Sequence, residues 1–313
     1  MILKELFYII IFPGFLFLGI FGLIGEFIDR KLYARFQNRW GPPWFQPIAD
    51  FFKLIGKEEI IPEGADKGMF KFMPVLALTA TITAFLYIPL WSTNALYSFY
   101  GDVIVVLYLL TIPTLTFFLA GWYSSSPYSM VGAVRTITQL FAYEVPLFLA
   151  VLSPALLAGS WNLSEIACFY SSYPWLFAVN LIGFMVALIA TLGKLEKVPF
   201  DIPEAETEIV AGTFTEYTGR LFAFFRMAID IETIVVASLI AVVFLPFGLT
   251  IGPIWGFVLY VVKVLFVIFI LALLRTLFAR LRIDQMVDFC WRWLAPAAFL
   301  QLIICLILKA YIF

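Results

Sequence analysis

The chain has 313 residues, 63% of them hydrophobic and 13% charged, with a formal net charge of −1 and a mean hydropathy of +1.01. This composition excludes a soluble domain and predicts a polytopic membrane protein, with no basic stripe for nucleic acid. Cys168, Cys290 and Cys305 stand far apart and histidine is absent, so a four-ligand iron–sulfur cluster, a histidine-ligated haem or a histidine zinc site cannot come from this chain alone.

Apolar runs predict eight spans, at about 5–28, 72–91, 102–121, 134–157, 175–193, 226–246, 254–274 and 294–312, each near the ~20 residues that cross a bilayer. They make one polytopic unit covering residues 1–313, without internal repeats. The first run is too long for a cleavable signal and is expected to stay as a span. Behind it, Arg30, Lys31, Arg35, Arg39, Lys53, Lys57, Lys67 and Lys71 crowd the first connection. Within that connection, Ile48, Phe51, Phe52 and Ile55 recur at helical spacing opposite Asp50, Lys53 and Lys57, which predicts an amphipathic helix over 46–58 lying in the interface. The connections at 92–101, 158–174 and 247–253 hold no Lys or Arg. The positive-inside rule therefore puts the odd-numbered connections in the cytoplasm and both termini outside the cell membrane. Trp91, Tyr97, Tyr100, Trp122, Tyr173 and Trp175 fall at span ends, as an aromatic belt does.

The fourth span carries Arg135, Gln139 and Glu144, with Pro146 removing a backbone donor beside the glutamate. Lys263 lies mid-way along the seventh span, and Asp230 and Glu232 open the sixth. A charge at such depth costs several kcal/mol unless it is paired or wet, which makes these residues functional candidates. Two readings stand for Glu144: a proton-transfer group, or one half of a structural ion pair, for instance with Lys263.

Between the fifth and sixth spans runs the most acidic stretch of the chain, KLEKVPFDIPEAETEIVAGTFTEYTGR over 194–220. Its six carboxylates are Glu196, Asp201, Glu204, Glu206, Glu208 and Glu216, opposed by Lys194, Lys197 and Arg220. Asp201 as cap, Pro203 in the first turn and Gly212 past the end predict a short helix with Glu204 and Glu208 on one face. Carboxylates this close titrate as a set, and at least one apparent pKa is expected to rise. The stretch reads either as a solvated docking loop or as part of a proton path. In the second reading it lines one wet route to mid-membrane together with Arg135 and Glu144.

Three blocks carry a resemblance. They are Asp29-Arg30-Lys31-Leu32-Tyr33-Ala34-Arg35-Phe36-Gln37-Asn38-Arg39-Trp40-Gly41-Pro42, Tyr143-Glu144-Val145-Pro146, and Pro199-Phe200-Asp201-Ile202-Pro203-Glu204-Ala205-Glu206 running on to Glu216-Tyr217. In this order they resemble the subunit-1 family, the membrane subunit at the heel of respiratory complex I. The compact stretch from Gly41-Pro42-Pro43 to Lys57-Glu58 is similar to the branch of energy-converting, membrane-bound hydrogenases and sulfane sulfur reductases, and suits an archaeal source. The quinone-reducing branch usually has a longer insertion after the Gly-Pro.

The resemblance implies an all-α integral membrane fold: an eight-span bundle with an interfacial helix after span 1 and an acidic cytoplasmic loop between spans 5 and 6. It implies a subunit that is not catalytic by itself, in a ferredoxin-oxidising, ion-translocating complex. Iron–sulfur clusters, and nickel–iron in the hydrogenase case, would sit on a large catalytic and a small iron–sulfur subunit, with antiporter-like subunits alongside in the bilayer. Asp29, Arg30, Arg35 and Arg39 would face the peripheral arm. Asp201, Glu204, Glu206, Glu208 and Glu216 would form the loop that feels redox turnover, and Glu144 would begin the lateral path. Here the glutamate expected near the start of the sixth span falls on Ile229, with Asp230 beside it and Glu232 further on. A stand-alone secondary transporter, a quinone-reducing complex and a passive anchor are the competing readings.

Overall fold

The computed structural model describes residues 2–90, 92–245, 247–248 and 252–312; the side chains of residues 2–3, 206–207, 253 and 312 lie outside the description, and Trp91 with them. Helices make up the described chain, and no strand occurs among the described residues. In chain order they are α1 (Ile2–Ile10), α2 (Phe15–Phe36), α3 (Gln46–Ile55), α4 (Lys67–Leu86), α5 (Asp102–Tyr123), α6 (Pro127–Ala158), α7 (Leu163–Ser172), α8 (Leu176–Val179), α9 (Leu181–Lys194), α10 (Glu206–Ile209), α11 (Gly219–Phe244), α12 (Pro253–Leu277), α13 (Ile283–Phe289) and α14 (Ala295–Ile312).

Seven helical stretches are long and apolar enough to cross a membrane: Lys4–Phe36, Lys67–Leu86, Asp102–Tyr123, Pro127–Ala158, Gly219–Phe244, Ile254–Leu277 and Ile283–Tyr311. The expected fifth span, 175–193, is instead the four-residue α8 followed by the 14-residue α9. The break falls at Asn180, which is buried and donates to the Tyr170 hydroxyl at 2.9 Å. Its Oδ1 accepts from Gln301 at 3.1 Å. A buried amide satisfied by side chains in this way is free of the helical ladder. The last stretch is also interrupted, by a π-helical turn over Cys290–Leu294 that links α13 to α14.

Helix α6 begins earlier than expected because Ser126 is extended and Pro127 takes the first turn, where a missing N–H costs nothing. Helix α4 begins where the Asp66 carboxylate accepts from the Gly68 and Met69 amides at 2.9 and 3.2 Å. The amphipathic helix forms as α3, packed against α2 and α11. Among the belt aromatics, Tyr100, Trp122, Tyr173 and Trp175 are exposed.

Helix α11 is the centre of the bundle. Nearly all its side chains from Ile231 to Phe244 are buried, and it packs against α2, α3, α4, α9 and α12. A helix apolar all round is stable only when surrounded in this way. The polar side chains at its start, Arg226, Asp230 and Glu232, are thereby carried inside the protein.

The acidic stretch does not form the expected helix. Residues 201–205 are turns, helix is confined to Glu206–Ile209, and a single 3₁₀ turn covers Gly212–Phe214. Asp201 caps nothing, and Glu204 and Glu208 share no helix face. Gly212 serves a close approach: its φ is +54°, and a Cβ there would stand 1.8 Å from the Pro203 carbonyl oxygen. Tertiary contacts hold the loop. Gln139 of α6 donates to the Gly193 and Phe200 carbonyls at 2.7 and 2.8 Å. At the far end the Tyr217 ring stacks on Phe70 with centroids 3.9 Å apart.

Candidate functional site

Folding the loop back under α2, α11 and α12 encloses a charged cavity of ≈ 350 Å³. Helix α2 contributes Glu26 and Asp29; the end of α9 and the loop contribute Lys194, Glu196, Lys197, Asp201 and Glu204. Helix α11 adds Arg226, Asp230 and Glu232, and Arg275 and Arg280 close the far side.

The charges interlock. Asp29 is 1% exposed, and its Oδ2 takes Lys197 at 2.9 Å and Arg275 at 3.1 Å. Its Oδ1 is buried without a hydrogen-bond partner among the described residues. Asp201 meets Arg280 at 3.1 Å and Glu204 meets Arg226 at 3.5 Å. Deepest lies the pair of Lys194 and Glu232 at 2.8 Å, both side chains 1% exposed. Lys194 also donates to the Leu110 carbonyl of α5. Glu196 has a buried Oε1 with no hydrogen-bond partner among the described residues. Burial, with Glu204 and Glu232 adding like charge, pushes its carboxyl well above the usual range.

Two further hollows adjoin this cavity. One, of ≈ 270 Å³, lies between α2, α3 and α11 and shares Arg226 and Asp230 with it. There Arg30 bridges Glu26 at 2.5 Å and Asp50 at 3.2 Å. An almost wholly apolar groove of ≈ 570 Å³ on the outer side of α2 shares Leu23, Phe51 and Met227 with that hollow. The other adjoining hollow, of ≈ 280 Å³, shares Arg280 with the charged cavity and holds Arg135 and Glu208 at 2.6 Å. The Arg135 guanidinium holds the exposed Glu208 carboxyl below its usual range.

The expected site residues are thus divided. Asp201, Glu204, Asp230 and Glu232 converge on the charged cavity, while Arg135 and Glu208 stand in the adjoining hollow. Glu144 and Glu216 are half-buried and do not line the charged cavity. The Glu206 side chain lies outside the described residues. Lys263 is half-buried, and no ion pair joins it to Glu144 among the described residues. Arg35, stacked on Trp40 at 5.1 Å, and Arg39 are exposed. Asp29 and Arg30 are not surface groups: one is enclosed between two cations, the other between two acids.

Sequence reasoning missed Glu26, Lys194, Glu196, Lys197, Arg226, Arg275 and Arg280 as site residues. Its basic residues served only as markers of orientation. Demanding a counter-charge for every deep carboxylate would have singled them out.

The sequence profile of the family described as NADH dehydrogenase matches residues 8–306. The chain belongs to this family. It is 35% identical over 302 residues to a membrane subunit of the NADH-quinone oxidoreductase of Carboxydothermus hydrogenoformans, covering 93% of this chain and 85% of that one. It is 37% identical over 294 residues to subunit 8 of the Thermus thermophilus NADH-quinone oxidoreductase, covering 88% and 80%. Its fold matches a chain of the membrane-bound sulfane sulfur reductase, an archaeal respiratory membrane complex, with a TM-score of 0.84 at 29% identity, over 97% of this chain and 99% of that one. It is therefore a multi-pass membrane subunit of the complex I type.

Proposed function

We propose that this chain is the heel subunit of a complex I-related, ferredoxin-oxidising complex, a membrane-bound hydrogenase or sulfur reductase, and that it couples electron transfer on its partners to proton or sodium movement. The observation that carries the reading is the cavity itself: a dense set of charges beneath the loop, ending at the Lys194–Glu232 pair inside the bundle. Pair energies grow as the dielectric falls, so a change of charge above the loop is felt strongly there. The near end-to-end match with the sulfane sulfur reductase chain supports that branch.

In this reading the chain is one polytopic unit of eight spans. Helices α8 and α9 together run over Leu176–Lys194, at ~1.5 Å per residue close to the ~30 Å of hydrocarbon. Both termini lie outside, and the loop faces the cytoplasm. A large catalytic subunit and a small iron–sulfur subunit sit over the loop and the exposed Arg35 and Arg39. The proton path uses Asp201, Glu204, Asp230, Glu232 and Glu144, with Arg135, Glu208, Glu206, Glu216 and Lys263 around it.

A second reading, quinone reduction, is favoured by the apolar groove. Through shared residues it leads from the outer side of α2 by way of Arg226 and Asp230 to the charged cavity, a route fitted to an apolar tail with a polar head. Gentle purification of the complex, with identification of the accompanying chains and assay with reduced ferredoxin and with quinone, decides. The favoured reading predicts iron–sulfur partners, ferredoxin oxidation and no response to quinone-site inhibitors. Electron flow blocked by such an inhibitor establishes the second reading, and a chain that purifies alone refutes both.

A further inference from the structure

Four helices meet on one amine. Lys194 ends α9, pairs with Glu232 of α11 at 2.8 Å, donates to Leu110 of α5, and lies 6.0 Å from the ring centre of Tyr143 on α6. Gly193 permits the approach, since a Cβ there would stand 3.2 Å from the Tyr143 Cβ. The Tyr143 hydroxyl is itself held at 3.0 Å by Thr114 of α5. The next residue, Glu144, is half-buried, makes no ion pair among the described residues, and lies within Coulombic reach of Lys194. One enclosed cation therefore stands between two carboxylates. Glu232 faces the charged cavity, and Glu144 does not.

A cation enclosed to this degree needs a counter-charge at every moment, because stranding it costs about 3–5 kcal/mol. We propose that Lys194 exchanges counter-ions between Glu232 and Glu144, and so hands the charge state of the cavity on to α6. This rests on the coupling role proposed above. A proton from the cavity binds the Glu232 carboxylate, which becomes a neutral acid, and the ion pair is lost. Lys194 keeps its own proton and moves toward Glu144. Glu144 releases its proton to a water or a carboxylate of a neighbouring membrane subunit, and its carboxylate takes over the pair. One proton is bound and one released, and both return when the cavity gives up its charge. The step passes on charge state, with no proton crossing on the lysine.

The test uses the intact complex in proteoliposomes, reading ions moved per electron. Lys194→Gln is expected to lower that ratio by roughly 5–150-fold, the span of ordinary coupling energies. Lys194→Gln combined with Glu232→Gln removes both enclosed charges together, which spares the fold, and is expected to stay uncoupled. Normal coupling in either variant overturns the proposal and leaves the pair as a structural tie. Redox-difference infrared spectra of the unmutated complex give an independent readout. One carboxyl band is expected to appear and another to vanish on reduction, the vanishing one absent in Glu144→Gln. A spectrum without carboxyl changes also overturns the proposal. An unmutated complex that moves no ions refutes the coupling role itself, and this inference with it.

Discussion

At the scale of single residues, what distinguishes the site is that its charges are enclosed in interlocking pairs. Asp29 shows the consequence. It alone faces both Lys197 and Arg275, so Asp29→Asn strands two cations in a closed space. The expected loss is about 3–5 kcal/mol, read as a lowered melting temperature of the detergent-purified complex. Glu196 carries the pH dependence. Its raised pKa means that the folded chain holds this proton more tightly than the unfolded chain. The stability it contributes is complete below the ordinary carboxylate range, and is lost as the pH rises through the raised value. Glu196→Gln should therefore flatten the fall of melting temperature between neutral and alkaline pH. An unchanged slope would mean that Glu196 is already ionised in the folded chain.

At the scale of elements, local chemistry explains some of the outcome and long-range packing the rest. Helix α3 was legible because its period shows in ten consecutive residues. Helix α9 is shorter than its apolar run because Asn180 finds partners on Tyr170 and Gln301, neither of them near in sequence. The loop was misread for a related reason. Asp201, Pro203 and Gly212 are sound helix punctuation, but Asp201 is claimed by Arg280 from beyond α12, and Gly212 by the close passage of Pro203. The π turn at Cys290–Leu294 has no signal in a run that reads as plain helix. Gly212→Ala tests the loop directly. It adds backbone strain of about 1–3 kcal/mol and a clash besides, so amide hydrogen exchange over 201–214 should quicken while α11 keeps its protection. Unchanged exchange in the loop would show that Gly212 does not hold it.

At the scale of the whole molecule, a core of apolar helices surrounds a charged chamber, and the chamber opens toward the loop rather than through the bundle. The membrane class and the acidic loop were legible because composition alone forces them. The partners of the charges were not, since Asp29 and Arg275 lie far apart in sequence and meet only when α2 packs on α12. Family membership is shown by the match over residues 8–306. The coupling role is the step that needs measurement, and Glu144 is the place to measure it. Glutamine there keeps shape and removes charge at a half-buried site without an ion pair among the described residues. The decisive quantity is ions moved per electron by the intact complex in proteoliposomes carrying Glu144→Gln. The account predicts a ratio near zero with every subunit still present; a ratio equal to that of the unmutated complex would contradict it.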